Sequence, residues 1–140
     1  MKIKTLIIIG LVSMITAGCN PSGSNADKKS AGDTITGKPD PSKLVGDWLR
    51  TDGGYRLKIL SVTAGGKLDA GYFNPSPIHV GQAEWQVKDK NIIITMVLQD
   101  VNYPGSTYTL QYFPTEDRLA GNYYQAVERA NYGVEFMRQK

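Results

Sequence analysis

"VGQAEWQVKDKNIIITMVL", residues 80–98, sets the fold of this chain. Ala83, Trp85 and Val87 alternate with Gln82, Glu84 and Gln86, and Ile92, Ile94 and Met96 repeat the beat after Asp89-Lys90-Asn91. A period of two sends successive side chains to opposite faces of a strand, so the apolar set faces a core and the polar set faces water. Two such runs joined by a short polar turn make an antiparallel hairpin. The second run is apolar on both faces for part of its length, which predicts that a loop covers its outer side.

The same pattern extends in both directions. "LVGDWLRT", "YRLKILSV" and "KLDAGYF" precede the hairpin, and "STYTLQYF", "RLAGNYYQA" and "NYGVEFMR" follow it. Turn signals separate the runs, among them Asp52-Gly53-Gly54, Ala64-Gly65-Gly66, Pro104-Gly105 and Thr115-Glu116-Asp117. Short links between consecutive strands predict a meander, and closing it removes the exposed edges. The expectation is an all-β chain, a single antiparallel up-and-down barrel of about eight strands over residues 43–140. Its interior set is Trp48, Leu57, Ile59, Leu68, Ala70, Tyr72, Ala83, Trp85, Ile92, Ile94, Met96, Tyr108, Leu110, Tyr112, Leu119, Tyr123, Val134 and Phe136.

Before the barrel lie two segments of different character. Lys2 and Lys4 lead into an apolar run from Thr5 to Met14, too short for a stable membrane span of ~20 residues and suited to a signal peptide over residues 1–18. Cys19, the chain's single cysteine, follows directly, so no internal disulfide is possible. The segment "ITAGC" resembles the lipobox of bacterial lipoproteins, with Thr16 where that family carries a large apolar residue. The resemblance implies cleavage before Cys19, lipid on its sulfur and an acylated N-terminus, which is stable anchoring to the membrane. Asn20 is not the aspartate that holds such proteins in the inner membrane, so the expected location is the cell envelope, at the periplasmic face of the outer membrane in a Gram-negative source. Residues 19–42, rich in Gly, Ser, Pro, Asp and Lys, read as a flexible tether reaching about 25 Å.

Gly46-Asp47-Trp48 on the first strand and Arg138 near the end of the last resemble the calycin superfamily of lipocalins, fatty-acid-binding proteins and avidins. There a Gly-x-Trp closes the barrel bottom under a basic side chain from the last strand. The resemblance implies that Trp48 and Arg138 close this barrel, and Arg138 has the inward parity of Val134 and Phe136. The segments "YFNPSPI", "YPGSTYTL" and "LAGNYYQA" also resemble small bacterial lipoproteins with a lipocalin-like barrel, which implies no particular activity.

Chemistry-bearing residues are few. Of 16 basic residues, Lys2 and Lys4 leave with the leader, so 14 face 13 acidic ones without a basic cluster, and no nucleic-acid partner is expected. The lone His79 enters a strand after two prolines, the acids Asp69, Glu84 and Glu135 have outward parity, and Ser106 has no base near it in sequence. No catalytic residue, metal site or cofactor is expected, and the protein is read as no enzyme. Tyrosine is the unusual feature. Tyr72, Tyr108, Tyr112 and Tyr123 share the inward parity, with Tyr55 and Tyr132 as further candidates. A buried phenol needs a hydrogen-bond partner, so these four are the candidate ligand-binding residues of a polar cavity. Asn74-Pro75-Ser76-Pro77 and Asn102-Tyr103-Pro104-Gly105 are expected to rim one mouth as loops, with Phe73 and Tyr103 exposed there. Two readings follow: a membrane-anchored protein binding a small hydrophobic or amphipathic ligand in its barrel, or an envelope interaction module with a filled barrel that docks another protein. Interior volume separates them.

Overall fold

The computed structural model describes residues 37–140. The readings that concern the signal peptide, Cys19 and the tether as far as residue 36 lie outside the described residues. Asp40 caps a short 3-10 turn, Pro41–Leu44, by accepting a bond from the Ser42 amide, and Leu44 is fully buried. The turn thus lies partly before residue 43, within the span read as tether.

Nine strands follow: β1 Gly46–Arg50, β2 Arg56–Val62, β3 Leu68–Asn74, β4 Ser76–Ile78, β5 Val80–Lys88, β6 Asn91–Leu98, β7 Thr107–Phe113, β8 Arg118–Gln125 and β9 Ala130–Arg138. They form one antiparallel sheet in the order β4-β3-β2-β1-β9-β8-β7-β6-β5. The opening hairpin is β5–β6, with Trp85 opposite Ile94. Asp89 and Lys90 take φ of 50° and 66° in its two-residue turn, the left-handed pair that matches the twist of the flanking strands. β1 and β9 zip the two ends of the domain together, placing Trp48 opposite Arg138.

The count of nine corrects the expected eight at one place. Asn74-Pro75-Ser76-Pro77 is not wholly a loop: Ser76–Ile78 folds back on β3, pairing Pro77 with Phe73. Proline is tolerated there because the ladder needs no donor from it. Only His79 then separates β4 from β5. Beyond β4 the ladder between β3 and β5 lapses to the bridge Lys67↔Glu84, supported by the Trp85 amide donating to the Gly66 carbonyl (2.7 Å) and the Lys67–Glu84 ion pair. The barrel is therefore nearly closed, with a thin seam.

The expected inward set is buried except at that seam, where Ala70 and Trp85 are only half-buried because β3 and β5 splay. Leu44, Ile78, Leu98 and Ser106 join the interior. Val87, on the inward parity, is exposed where β5 runs into its turn. Ile93, Thr95 and Val97, on the outer side of β6, are half-buried, and Ile93 and Thr95 line a groove beside Gly65-Gly66, the turn on that side.

Candidate functional site

The two ends of the barrel differ in chemistry. At one end, β1 and β9 bring the Arg138 guanidinium 4.1 Å over the Trp48 ring. Gly46 precedes the indole with φ of 149°, and a Cβ there would collide with the Arg138 guanidinium, so this close approach requires glycine. The Arg138 guanidinium donates to the Val45 (2.7 Å) and Lys43 carbonyls and to both oxygens of Asp117, while the Trp48 ring N–H donates to the Leu44 carbonyl (2.9 Å). The 3-10 turn is thereby clamped across the barrel. Tyr112 belongs here too. Its ring meets Trp48 edge-on at 6.0 Å and its hydroxyl donates to Asp117 (3.1 Å). Arg138, first by hydrogen bonding, holds the Asp117 carboxyl below its ordinary value and is itself raised by the same contact.

The opposite end is the mouth, and it gathers the other three predicted tyrosines. Tyr72 on β3 and Tyr108 on β7 share a hydrogen bond of 2.5 Å between hydroxyls, and Tyr108 stacks on Tyr123 with ring centroids 4.4 Å apart. Phe136 meets the Tyr108 ring edge-on at 5.7 Å and Tyr55 stacks on Tyr72 at 6.4 Å. Above them the two expected rim segments meet, the Asn74 amide donating to the Tyr103 hydroxyl at 2.8 Å. Phe73 and Tyr103 are half-buried rather than exposed, Tyr103 packing against the core. Tyr132, of inward parity near the start of β9, is exposed and donates to Glu128.

One residue of this end was not singled out from the sequence. Arg50 follows Trp48 by two on β1 and so points inward; that parity was the available signal. Its side chain is 11% exposed and its guanidinium lies 4.3 Å from the Tyr55 ring centroid and 5.8 Å from that of Tyr123. Nη1 donates to the Tyr108 hydroxyl (3.2 Å), while Nε and Nη2 fork onto the two carboxylate oxygens of Asp52 at 2.5 and 2.7 Å. Burial works against the Arg50 charge, but the bonds to Asp52 and Tyr108 outweigh it and raise its pKa. Burial likewise pushes the Tyr72 phenol up strongly and the Tyr108 phenol up to about 12; both stay neutral well into alkaline solution.

The remaining candidates are dispersed. His79 is exposed at the β4–β5 junction, Asp69 is exposed, Glu84 pairs with Lys67 and Glu135 with Arg118. Ser106 is fully buried and accepts the Ala126 amide at 3.1 Å, a turn-holding role. Chemically, the mouth can hold a negatively charged or hydrogen-bonding group against Arg50; the closing end can hold the fold together. The chain matches no protein-family model, no curated protein and no solved structure.

Proposed function

We propose that this chain is a lipid-anchored protein of the cell envelope, without a catalytic role, whose filled barrel serves as an interaction module and presents its mouth loops to another protein. One observation carries the choice between ligand carrier and interaction module. The Tyr72 and Tyr108 phenols are partnered by each other and by Arg50, and their rings pack with that of Tyr123 across the space that a carrier would keep for its ligand. A buried hydroxyl satisfied within the protein gains nothing from an apolar guest and loses its partner if the guest enters. Uptake of a small hydrophobic molecule would require Tyr72, Tyr108 and Tyr123 to part. Anchoring through Cys19 would place the module on the membrane and leave the mouth free to meet envelope proteins, at the outer membrane in a Gram-negative source.

The test is site-specific photo-crosslinking in the source cell. Val101, 90% exposed in the loop over the mouth, and Val87, 48% exposed at the other end, each receive a photoreactive residue in separate chains. The reading expects one reproducible adduct from position 101 and none from 87. Equal labelling from both positions, or none from 101, would reject it. Cys19→Ala should move the chain from the membrane fraction to the soluble fraction; unchanged membrane retention would reject the anchor.

A further inference from the structure

We infer that Arg50 is a receptor for a carboxylate of the partner protein, and that Asp52 is its resting occupant, displaced when the partner docks. The inference rests on the reading of the mouth as an interaction surface and names the chemistry of what binds there. Arg50 is a nearly buried cation, and among the described residues its one carboxylate partner is Asp52, two positions along the chain. That partner is a loop residue with a side chain 53% exposed, followed by Gly53 and Gly54, and the position of Gly54 has no neighbouring atom within 4 Å of a Cβ. The cation is thus enclosed, and its anion stands on the solvent side of it.

The geometry is selective. Tyr55 and Tyr123 flank the guanidinium and Tyr108 takes Nη1, so only the Nε–Nη2 edge is given to Asp52. That edge offers two parallel N–H donors, the arrangement that a planar carboxylate accepts at both oxygens. Asp52 holds this edge from the solvent side, so an incoming carboxylate can take its place while the enclosed cation stays paired throughout the exchange. A protein carboxylate, an Asp or Glu side chain or a chain end, fits this site because it brings the charge without an acyl chain. A fatty acid would have to bury its tail among the stacked rings of Tyr72, Tyr108 and Tyr123.

The experiment titrates the nitrogen-15-labelled full chain in detergent with N-acetylaspartate, following the Arg50 Nε–H signal; N-acetylasparagine is the neutral control and dodecanoate the fatty-acid arm. Asp52→Asn is expected to bind N-acetylaspartate at least tenfold more tightly than the unaltered chain, Arg50→Gln to lose the saturable response, and the neutral control to leave the signal in place. Asp52→Ser, without an amide that can bond Arg50, serves as a second release variant should Asn fold poorly. Equal affinity in the released and unaltered chains, or an equal response to the neutral control, would overturn the inference. Tighter binding of dodecanoate with displacement of the Tyr72 and Tyr108 signals would overturn the protein source of the carboxylate. These results do not depend on the cross-linking at Val101: a carboxylate response without an adduct would defeat the interaction module alone, and an adduct without a response would defeat the Arg50 receptor alone.

Discussion

Arg138 joins the first residues of the domain to its last strand through its bonds to Lys43, Val45 and Asp117 and its place over Trp48. A desolvated cation over an indole contributes about 2 kcal/mol, and hydrogen bonds involving a charged group about 1.5–3 kcal/mol each, partly shared within one network. Arg138→Gln should therefore destabilise the chain by about 2–4 kcal/mol in urea titration, and Arg138→Lys should recover little, because an ammonium cannot fork between Asp117 and two carbonyls. An unchanged midpoint would remove the clamp from the account. The tyrosines give a second prediction at this scale. A folded-state pKa raised above the ordinary value near 10 means that the native state retains the phenolic proton which the unfolded chain has lost; stability is then full below pH ~10 and falls as pH rises toward the folded value. Melting temperature should drop between pH 10 and about 12, the range that Tyr108 sets, and tyrosinate absorbance should rise in step with unfolding. Full ionisation of all tyrosines in a chain that is still folded would refute the buried phenol pair. Parity was enough to read Trp48, Arg138 and the inward tyrosines from the sequence. It does not say at which end of a strand a side chain lies, and so Tyr112 was grouped with Tyr72, Tyr108 and Tyr123 although the structure places it at the closing end with Asp117.

Among the elements, β7 and β8 come so close that a Cβ at Gly121 would strike the Thr109 carbonyl oxygen. Backbone cannot yield as a flexible side chain does. Gly121→Ala should cost about 1–3 kcal/mol and speed amide exchange along β7 and β8 first. The β5–β6 turn predicts the opposite sign. Lys90 sits at φ 66°, where a side chain is strained and glycine is not, so Lys90→Gly should raise stability by about 0.5–1 kcal/mol, a shift of a few degrees in melting temperature. No gain would mean that the turn is not of the left-handed type described. Strand existence was legible because alternation and turn residues agreed along the whole domain. β4 was not, because Pro75 and Pro77 signal a break, whereas the three residues from Ser76 to Ile78 pair only along one edge, where proline is harmless. The seam was hidden for another reason: whether β3 meets β5 depends on the bulge between Val80 and Gln82 and on the break between β4 and β5 at His79, neither of which leaves a periodic trace.

At the scale of the whole molecule, the pairing of β1 with β9 couples the two ends of the domain, and the interior is filled by two groups of rings, Trp48 with Tyr112 at one end and Tyr72, Tyr108, Tyr123 and Phe136 at the other, within one core that also buries Leu57, Leu110 and Leu119. The closure was legible from Gly46, Trp48 and Arg138. The filling was not, because a parity pattern gives the direction of a ring but not the curvature of the sheet or the volume left between opposite walls. The direct measurement is native mass spectrometry of the mature chain released in detergent from its own envelope. A filled barrel predicts the mass of the lipidated chain alone, with no small molecule retained at defined stoichiometry. One hydrophobic molecule held per chain, with the Tyr72 and Tyr108 resonances shifting on its removal, would contradict it.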